Sequence, residues 1–99
     1  MKIKIKATKI NLTAELKQYI EEKMLSLMKY YNGIIKADVE VEYTTRHHKK
    51  GEVYRAEVNL DVPGKLIRIE KTEKNIYKAI DKVRDHLKII LIKYKERLR

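Results

Sequence analysis

Ninety-nine residues, 43% hydrophobic and 38% charged, with a formal net charge of +10, suit one domain on one core and a protein drawn to anions. The chain has no cysteine, which excludes disulfides, zinc-thiolate centres and a thiol nucleophile. No apolar run approaches the length of a membrane span, and the N-terminal MKIKIKAT alternates where a signal peptide would be continuously apolar, so the expectation is a soluble cytoplasmic protein.

KIKIKA places Ile3, Ile5 and Ala7 on one face and Lys2, Lys4 and Lys6 on the other, the pattern of a half-buried strand. In NLTAELKQYIEEKMLSLMKYYNG the period lengthens, and Leu16, Tyr19, Ile20, Leu27 and Tyr31 form one helical stripe. Thr13 is a suitable N-cap, Glu15 favours the positive end of the helix dipole, and Asn32-Gly33 supplies the stop. ADVEVEY alternates again, with Val39, Val41 and Tyr43 inward and Asp38, Glu40 and Glu42 outward. TTRHHKKGE follows and has no apolar residue. VYRAEVNLDV reads as a third strand with Tyr54, Ala56, Val58 and Leu60 inward, Pro63-Gly64 as a turn, and KLIRIE as a fourth strand through Ile67 and Ile69. From about Thr72 to Leu98 the helical period returns along Ile76, Ile80, Val83, Leu87, Leu91 and Tyr94. Thr72 is the favoured N-cap and Asn75 the alternative, and at about 1.5 Å per residue the helix would run to roughly 37 Å.

The order β-α-β-β-β-α, with one apolar face per strand, predicts an α+β fold: a four-stranded mixed sheet with two roughly parallel helices packed on one face. The whole of 1–99 forms one domain in this reading, without repeat or linker. TTRHHKKGE becomes a long hairpin loop.

Charge is uneven along the chain. Residues 1–36 hold eight Lys or Arg against three Asp or Glu, residues 37–70 hold six against seven, and residues 71–99 hold ten against four. The excess is therefore expected on the first strand and the two helices, a distribution suited to a polyanion lying along the helices. The outward sheet face mixes Lys4 and Arg68 with Glu40, Glu42, Glu57 and Glu70 and carries no aromatic ring, which disfavours base stacking on the sheet. Enzyme readings find little support. His47 and His48 are adjacent, so their rings diverge in an extended loop, and His86 is remote in sequence. Ser26 is the one serine and has no histidine near it, and no glycine-rich phosphate loop is present. No catalytic residue, metal site or cofactor is expected.

The last segment, NIYKAIDKVRDHLKIILIKYK, resembles the closing helix of the ribosome hibernation-promoting factor and ribosome-associated inhibitor A family, through Tyr77, Ala79, Ile80, Asp81, Leu87, Leu91, Lys93 and Lys95. LTAELKQYIEEKMLSLMKYY is similar to the family's first helix, including Lys23, and the order of elements agrees. The resemblance covers essentially the whole chain and fits either a short member or the N-terminal domain of a long one. It implies a translation inhibitor that binds small-subunit ribosomal RNA across the messenger channel and the aminoacyl and peptidyl tRNA sites.

On this reading the rRNA-binding residues are Lys23, Lys29, Lys78, Lys82, Arg84, His86, Lys88, Lys93, Lys95 and Arg97. Lys23, at the edge of an apolar stripe, is expected near the groove between the helices. In the hairpin loop, Arg46, Lys49 and Lys50 can reach phosphates, and His47 and His48 can stack on a base. One departure stands out. The family typically carries polar or basic residues before Lys93, and this chain has Ile89, Ile90, Leu91 and Ile92. By helical angle Ile90 joins the core edge, whereas Ile89 and Ile92 point away and offer a contact for a homodimer. The alternatives to ribosome binding are a general double-stranded RNA binder and a dimerising interaction module.

Overall fold

The computed structural model describes residues 1–45, 51 and 53–98. Four strands form one sheet in the order β1-β2-β3-β4. β1 (Lys2–Thr8) pairs in parallel with β2 (Lys36–Tyr43). β3 (Tyr54–Val62) is antiparallel to β2, and β4 (Lys65–Glu73) is antiparallel to β3. The helices α1 (Ala14–Leu25) and α2 (Ile76–Arg97) complete the expected order. They pack on the face of Val39, Val41, Ala56, Val58, Leu60 and Ile67, all buried against Ile20 and Met24 of α1, Leu27 just after it, and Ile80, Val83, Leu87 and Leu91 of α2. Alternation on each strand and the 3.6-residue stripe on each helix meet in this one core.

Local chemistry sets the element ends, and several differ from expectation. Thr13 caps α1, its hydroxyl accepting from the Leu16 amide at 3.1 Å. The α-helix does not reach Asn32. It tightens into a 3₁₀ turn over Ser26–Lys29, where the Ser26 hydroxyl donates to the Lys23 carbonyl at 2.6 Å and the Tyr30 amide bonds three residues back to Leu27. α2 is capped by Asn75, whose Oδ1 accepts from Tyr77 and Lys78 amides, and not by Thr72. Thr72 is taken by β4, paired opposite Arg55. With 22 residues, α2 is about 33 Å long, shorter than expected. Pro63 and Gly64, the latter with φ 76°, close the β3–β4 hairpin as Pro-Gly pairs do in type II turns.

Tyr43 and Tyr54 lie on the helix side of the sheet, as their parity requires, but Tyr43 is 39% exposed and not core. The two rings meet edge-to-face at 5.4 Å, with Tyr54 beside the N-terminal ends of both helices and Tyr43 beyond their cover. TTRHHKKGE lies between β2 and β3 as expected of a hairpin connection, Thr44 donating its amide to Val53 at 2.7 Å. The contacts expected of Arg46, His47, His48, Lys49 and Lys50 lie outside the described residues.

The opposite sheet face is polar and formally neutral. Its sixteen positions carry six basic residues (Lys2, Lys4, Lys6, Lys36, Arg55, Arg68) and six acidic ones (Asp38, Glu40, Glu42, Glu57, Asp61, Glu70). The lysines gather toward β1 and the acids toward the centre. Glu40, Glu57 and Glu70 stand directly opposite one another on three strands, an arrangement that repels. Arg55 resolves it, donating to Glu40 at 2.5 Å, Glu42 at 2.8 Å and Glu70 at 3.4 Å, with Glu57 at 3.6 Å. Burial works against its charge, but the carboxylates of Glu42 and Glu40 outweigh that and push the guanidinium further above its ordinary range. Arg68 adds two bonds to Glu57, at 2.6 and 2.9 Å.

Replacing Arg55 by alanine is expected to cost about 3 kcal/mol in urea unfolding, the order seen when one partner of a buried ion pair is removed. Adding Glu57→Gln to that variant should restore part of the loss. A change below about 0.5 kcal/mol for Arg55→Ala would show that water alone suffices for the glutamate row.

Candidate nucleic-acid interface

Both helices leave the same end of the sheet and run side by side. Their contacts advance together along the two chains: Tyr19 meets Tyr77 and Asp81, Lys23 meets Asp81, Ser26 meets Arg84, Tyr30 meets Lys88, and Tyr31 meets Tyr94. The helices are therefore parallel, and their facing edges form a seam of tyrosines and cations.

The seam is built turn by turn. Asp81 Oδ1 accepts from the Tyr19 hydroxyl at 2.6 Å and lies 3.3 Å from Lys23 Nζ. The same ammonium sits 5.2 Å from the centre of the Tyr19 ring, and that ring meets Tyr77 edge-to-face at 4.9 Å. Lys23 is thus held at the groove between the helices, as expected, and does not simply snorkel to water. One turn on, Arg84 Nε donates to Ser26 Oγ at 3.2 Å and its Nη1 to Asp85 at 2.9 Å. Lys88 Nζ then lies 5.1 Å from the centre of the Tyr30 ring. Beyond it, Lys29, Tyr30, Ile92, Lys95 and Glu96 line a cavity of about 260 Å³. Lys29, Lys88 and Lys95 have no ion-pair partner among the described residues, so their charge is available at the surface.

The ten basic positions singled out from sequence do not share one patch. Lys23, Lys29, Arg84, Lys88 and Lys95 gather on the seam. Lys82, His86, Lys93 and Arg97 lie on the opposite flank of α2, toward β4. There Lys82 reaches Glu73 at 2.5 Å and holds that carboxyl below its ordinary range, and Lys93 and Arg97 line a groove along β4. His86 is half-buried, its Nδ1 shielded and without a hydrogen-bond partner. Lys78 is exposed on the outward face. Among the described residues no group of three His, Cys, Asp or Glu is placed to hold a metal, and no helix is long and apolar enough to cross a membrane.

Charge is also sorted differently from expectation. From Ala14 to Lys29 three lysines face three glutamates, so the first helical segment carries no net charge. α2 carries seven cations against three anions. α1 and its 3₁₀ turn still contribute to a basic surface because Lys23 reaches Asp81 and Lys29 lines a cavity with Ile92 and Lys95 of α2, while Glu22 is engaged by Gln18 along α1. The tyrosine partners of these cations were not read as site residues from sequence. Their signal was present: positions 77, 81, 84, 88, 92 and 95 recur on one edge of a helix.

Comparisons with known proteins agree with this fold. Residues 3–99 match the model of the family described as Sigma 54 modulation protein / S30EA ribosomal protein. The ribosome hibernation promotion factor of Deinococcus radiodurans is 38% identical over 89 residues, which is 89% of this chain and 46% of that protein. The factor of the same name from Lactococcus lactis is 29% identical over 98 residues, 99% of this chain and 51% of that protein. The chain thus spans about half the length of the curated relatives it matches. The N-terminal domain of Thermus thermophilus Protein Y superposes with a TM-score of 0.80 at 27% identity, covering 95% of this chain and 99% of that one. A ribosomal subunit interface protein from Coxiella burnetii shares the fold, with a TM-score of 0.82 at 20% identity over 97% of this chain and 99% of that one.

The Tyr19–Asp81 bond makes the seam testable by titration. Its acceptance by a carboxylate, then burial, pushes the Tyr19 phenol up from 10.0 to about 12. A folded-state value above the unfolded one stabilises fully below pH 10, and the gain is lost as pH rises through about 12. Tyr19→Phe is therefore expected to lose stability less steeply than the parent between pH 10 and 12 in denaturant unfolding. Tyrosinate absorbance should show one late-titrating phenol missing from the variant. Parallel stability curves in that window would mean that the bond does not persist in solution.

Proposed function

The chain belongs to the Sigma 54 modulation protein / S30EA ribosomal protein family, and on that premise we propose that it is a ribosome-associated translation inhibitor that holds small-subunit ribosomal RNA against the seam between its helices. The family is a non-enzymatic one of ribosome-binding proteins. One observation carries the reading. Lys23, Lys29, Arg84, Lys88 and Lys95 come from two helices to one surface, while the far side of the sheet balances its charges internally. A row of cations set at successive turns of a rigid helix pair suits phosphates of fixed spacing, and such contacts position a partner without reading its sequence. With no aromatic ring on the outer sheet face, selectivity comes from RNA shape. In this role the protein works in the cytoplasm and lies across the messenger channel and the aminoacyl and peptidyl tRNA sites. Lys78, Lys82 and His86 add contacts on the outer face and far flank of α2, and Arg46, His47, His48, Lys49 and Lys50 add them from the loop, whereas Lys93 and Arg97 face the groove along β4 and stand apart from this surface.

A homodimer through Ile89 and Ile92 is the second reading, favoured by their exposure of 53% and 39%. Ile92 lines the cavity shared with Lys29 and Lys95, so a dimer there would cover part of the RNA surface. Sedimentation equilibrium of the free protein separates the two: a monomer leaves the surface open for RNA.

The protein is expected to pellet with small subunits and to suppress peptide synthesis in a purified system. Lys29→Glu with Lys88→Glu should weaken subunit binding by at least about tenfold and flatten the slope of log affinity against log salt by about one unit per lost phosphate contact. Lys2→Glu with Lys4→Glu, on the outer sheet face, should do much less. Unchanged peptide synthesis at saturating protein, with none in the pellet, overturns the reading. Equal losses from both pairs would mean diffuse attraction without an oriented interface.

A further inference from the structure

We propose that the free edge of β4 is a docking site for an extended acidic peptide from a protein partner, added as a fifth strand. β4 is the last strand of the sheet, so among the described residues nothing pairs with its outer edge. Alternate residues there present unpaired amide and carbonyl groups, a template for strand addition.

The edge borders a groove of about 350 Å³. Residues of both β4 faces line it: Leu66 and Arg68 belong to the outer face, and Lys65, Ile67 and Ile69 to the helix side. A cavity that touches both parities of one strand runs along the strand's edge. The other wall is α2, through Ile90, Lys93, Tyr94 and Arg97. Tyr94 fixes the wall at the hairpin end by donating its hydroxyl to the Pro63 carbonyl. At the other end Lys82 bonds Glu73 and narrows the access, so the open stretch is Lys65 to Ile69. It accommodates about five residues of a partner strand, about 17 Å at the usual strand rise.

The chemistry of the groove selects the occupant. Its floor is apolar, and Leu66 is 62% exposed. Every charged residue lining it is basic: Lys65, Arg68, Lys93 and Arg97. Arg68 is engaged by Glu57, whereas the other three have no ion-pair partner among the described residues. A second copy of this chain would set four like charges against four. A nucleic acid would satisfy the rim but leave both the apolar floor and the strand edge unmatched. A strand alternating acidic and branched apolar residues matches all three. The groove lies across α2 from the seam, so the two surfaces are distinct.

The test uses the whole chain and a short soluble peptide alternating glutamate with valine, labelled for fluorescence anisotropy. Two further peptides carry N-methyl groups on the odd or on the even amides, which blocks one edge of the peptide at a time. The parent peptide should bind, one methylated peptide should lose at least tenfold in affinity relative to the other, and amide exchange should slow within residues 65–69. Lys93→Glu with Arg97→Glu should weaken the peptide at least tenfold, and Lys29→Glu with Lys88→Glu should leave it unchanged. No binding at millimolar peptide overturns the proposal, and so does equal binding by both methylated peptides. Equal binding by a lysine–valine peptide overturns it too, as does slowing of the same amides by a single-stranded oligonucleotide in place of the peptide.

Discussion

The sheet can accept helices on one side only, and the rest of the molecule follows from that. On the outer face Arg55 sits among Glu40, Glu42, Glu57 and Glu70, with Arg68 closing on Glu57. A helix laid there would have to desolvate that network without replacing its bonds. Both helices are therefore confined to the apolar face, where four strands give width for two and no more. Each follows a strand that runs in the same direction, since β4 is parallel to β1 through two antiparallel steps. The helices must then run parallel, with N-termini together, and their facing edges must meet along their length.

That meeting determines the character of the seam. Side chains on the facing edges cannot be wholly apolar, because the seam opens to water, nor wholly charged, because they pack. Tyrosine serves both needs, with ring faces for packing and a hydroxyl for a partner. Tyr19 of α1, and Tyr30 and Tyr31 just past the 3₁₀ turn, are met from α2 by Tyr77, Lys88 and Tyr94 in that order. Asp81 ties the upper end by receiving both the Tyr19 hydroxyl and Lys23. Cations thereby fall into two kinds: Lys23 and Arg84 are oriented by internal carboxylates, while Lys29, Lys88 and Lys95 are not. On the proposed reading, binding RNA through the first kind would exchange a protein carboxylate for a phosphate. Binding through the second would cost only the ordering of a long side chain.

Much of this was legible from sequence because it rests on period and parity. The alternating stretches became strands on the predicted faces, and the stripe of α2 became a largely buried helix face, whereas the first stripe leaves α1, passing through the 3₁₀ turn at Leu27 and ending beyond it at Tyr31. What parity cannot give is coverage. Tyr43 occupies the predicted face and is exposed nonetheless, since neither helix extends over the end of β2. Caps were ambiguous where two residues of similar chemistry competed. Thr72 and Asn75 can both cap, and the choice fell to pairing of β4 with β3 out to Glu73. The early end of α1 turned on one hydroxyl, that of Ser26, bonding back to Lys23. For the site, composition identified the cations but not their grouping. Summed charge placed an excess on both helices, whereas α1 is balanced and contributes by the side on which its lysines stand.

A chain of +10 must fold without driving its own charges apart, and the sorting of anions shows how. The central carboxylates of the sheet are spent on one another's cations at the outer face, and Asp81, Asp85 and Glu73 each quench one cation of the helical layer. Among the described cations without an ion pair, Lys29, Lys88 and Lys95 lie on the seam and Lys65, Lys93 and Arg97 at the β4 groove, on opposite flanks of α2, while others such as Lys2, Lys4 and Lys78 are scattered elsewhere. Self-repulsion falls with distance and with the intervening water, so splitting the excess in two lowers its cost. On the proposed readings, the split would set rings and long side chains at the seam against phosphates and an open strand edge against a peptide backbone.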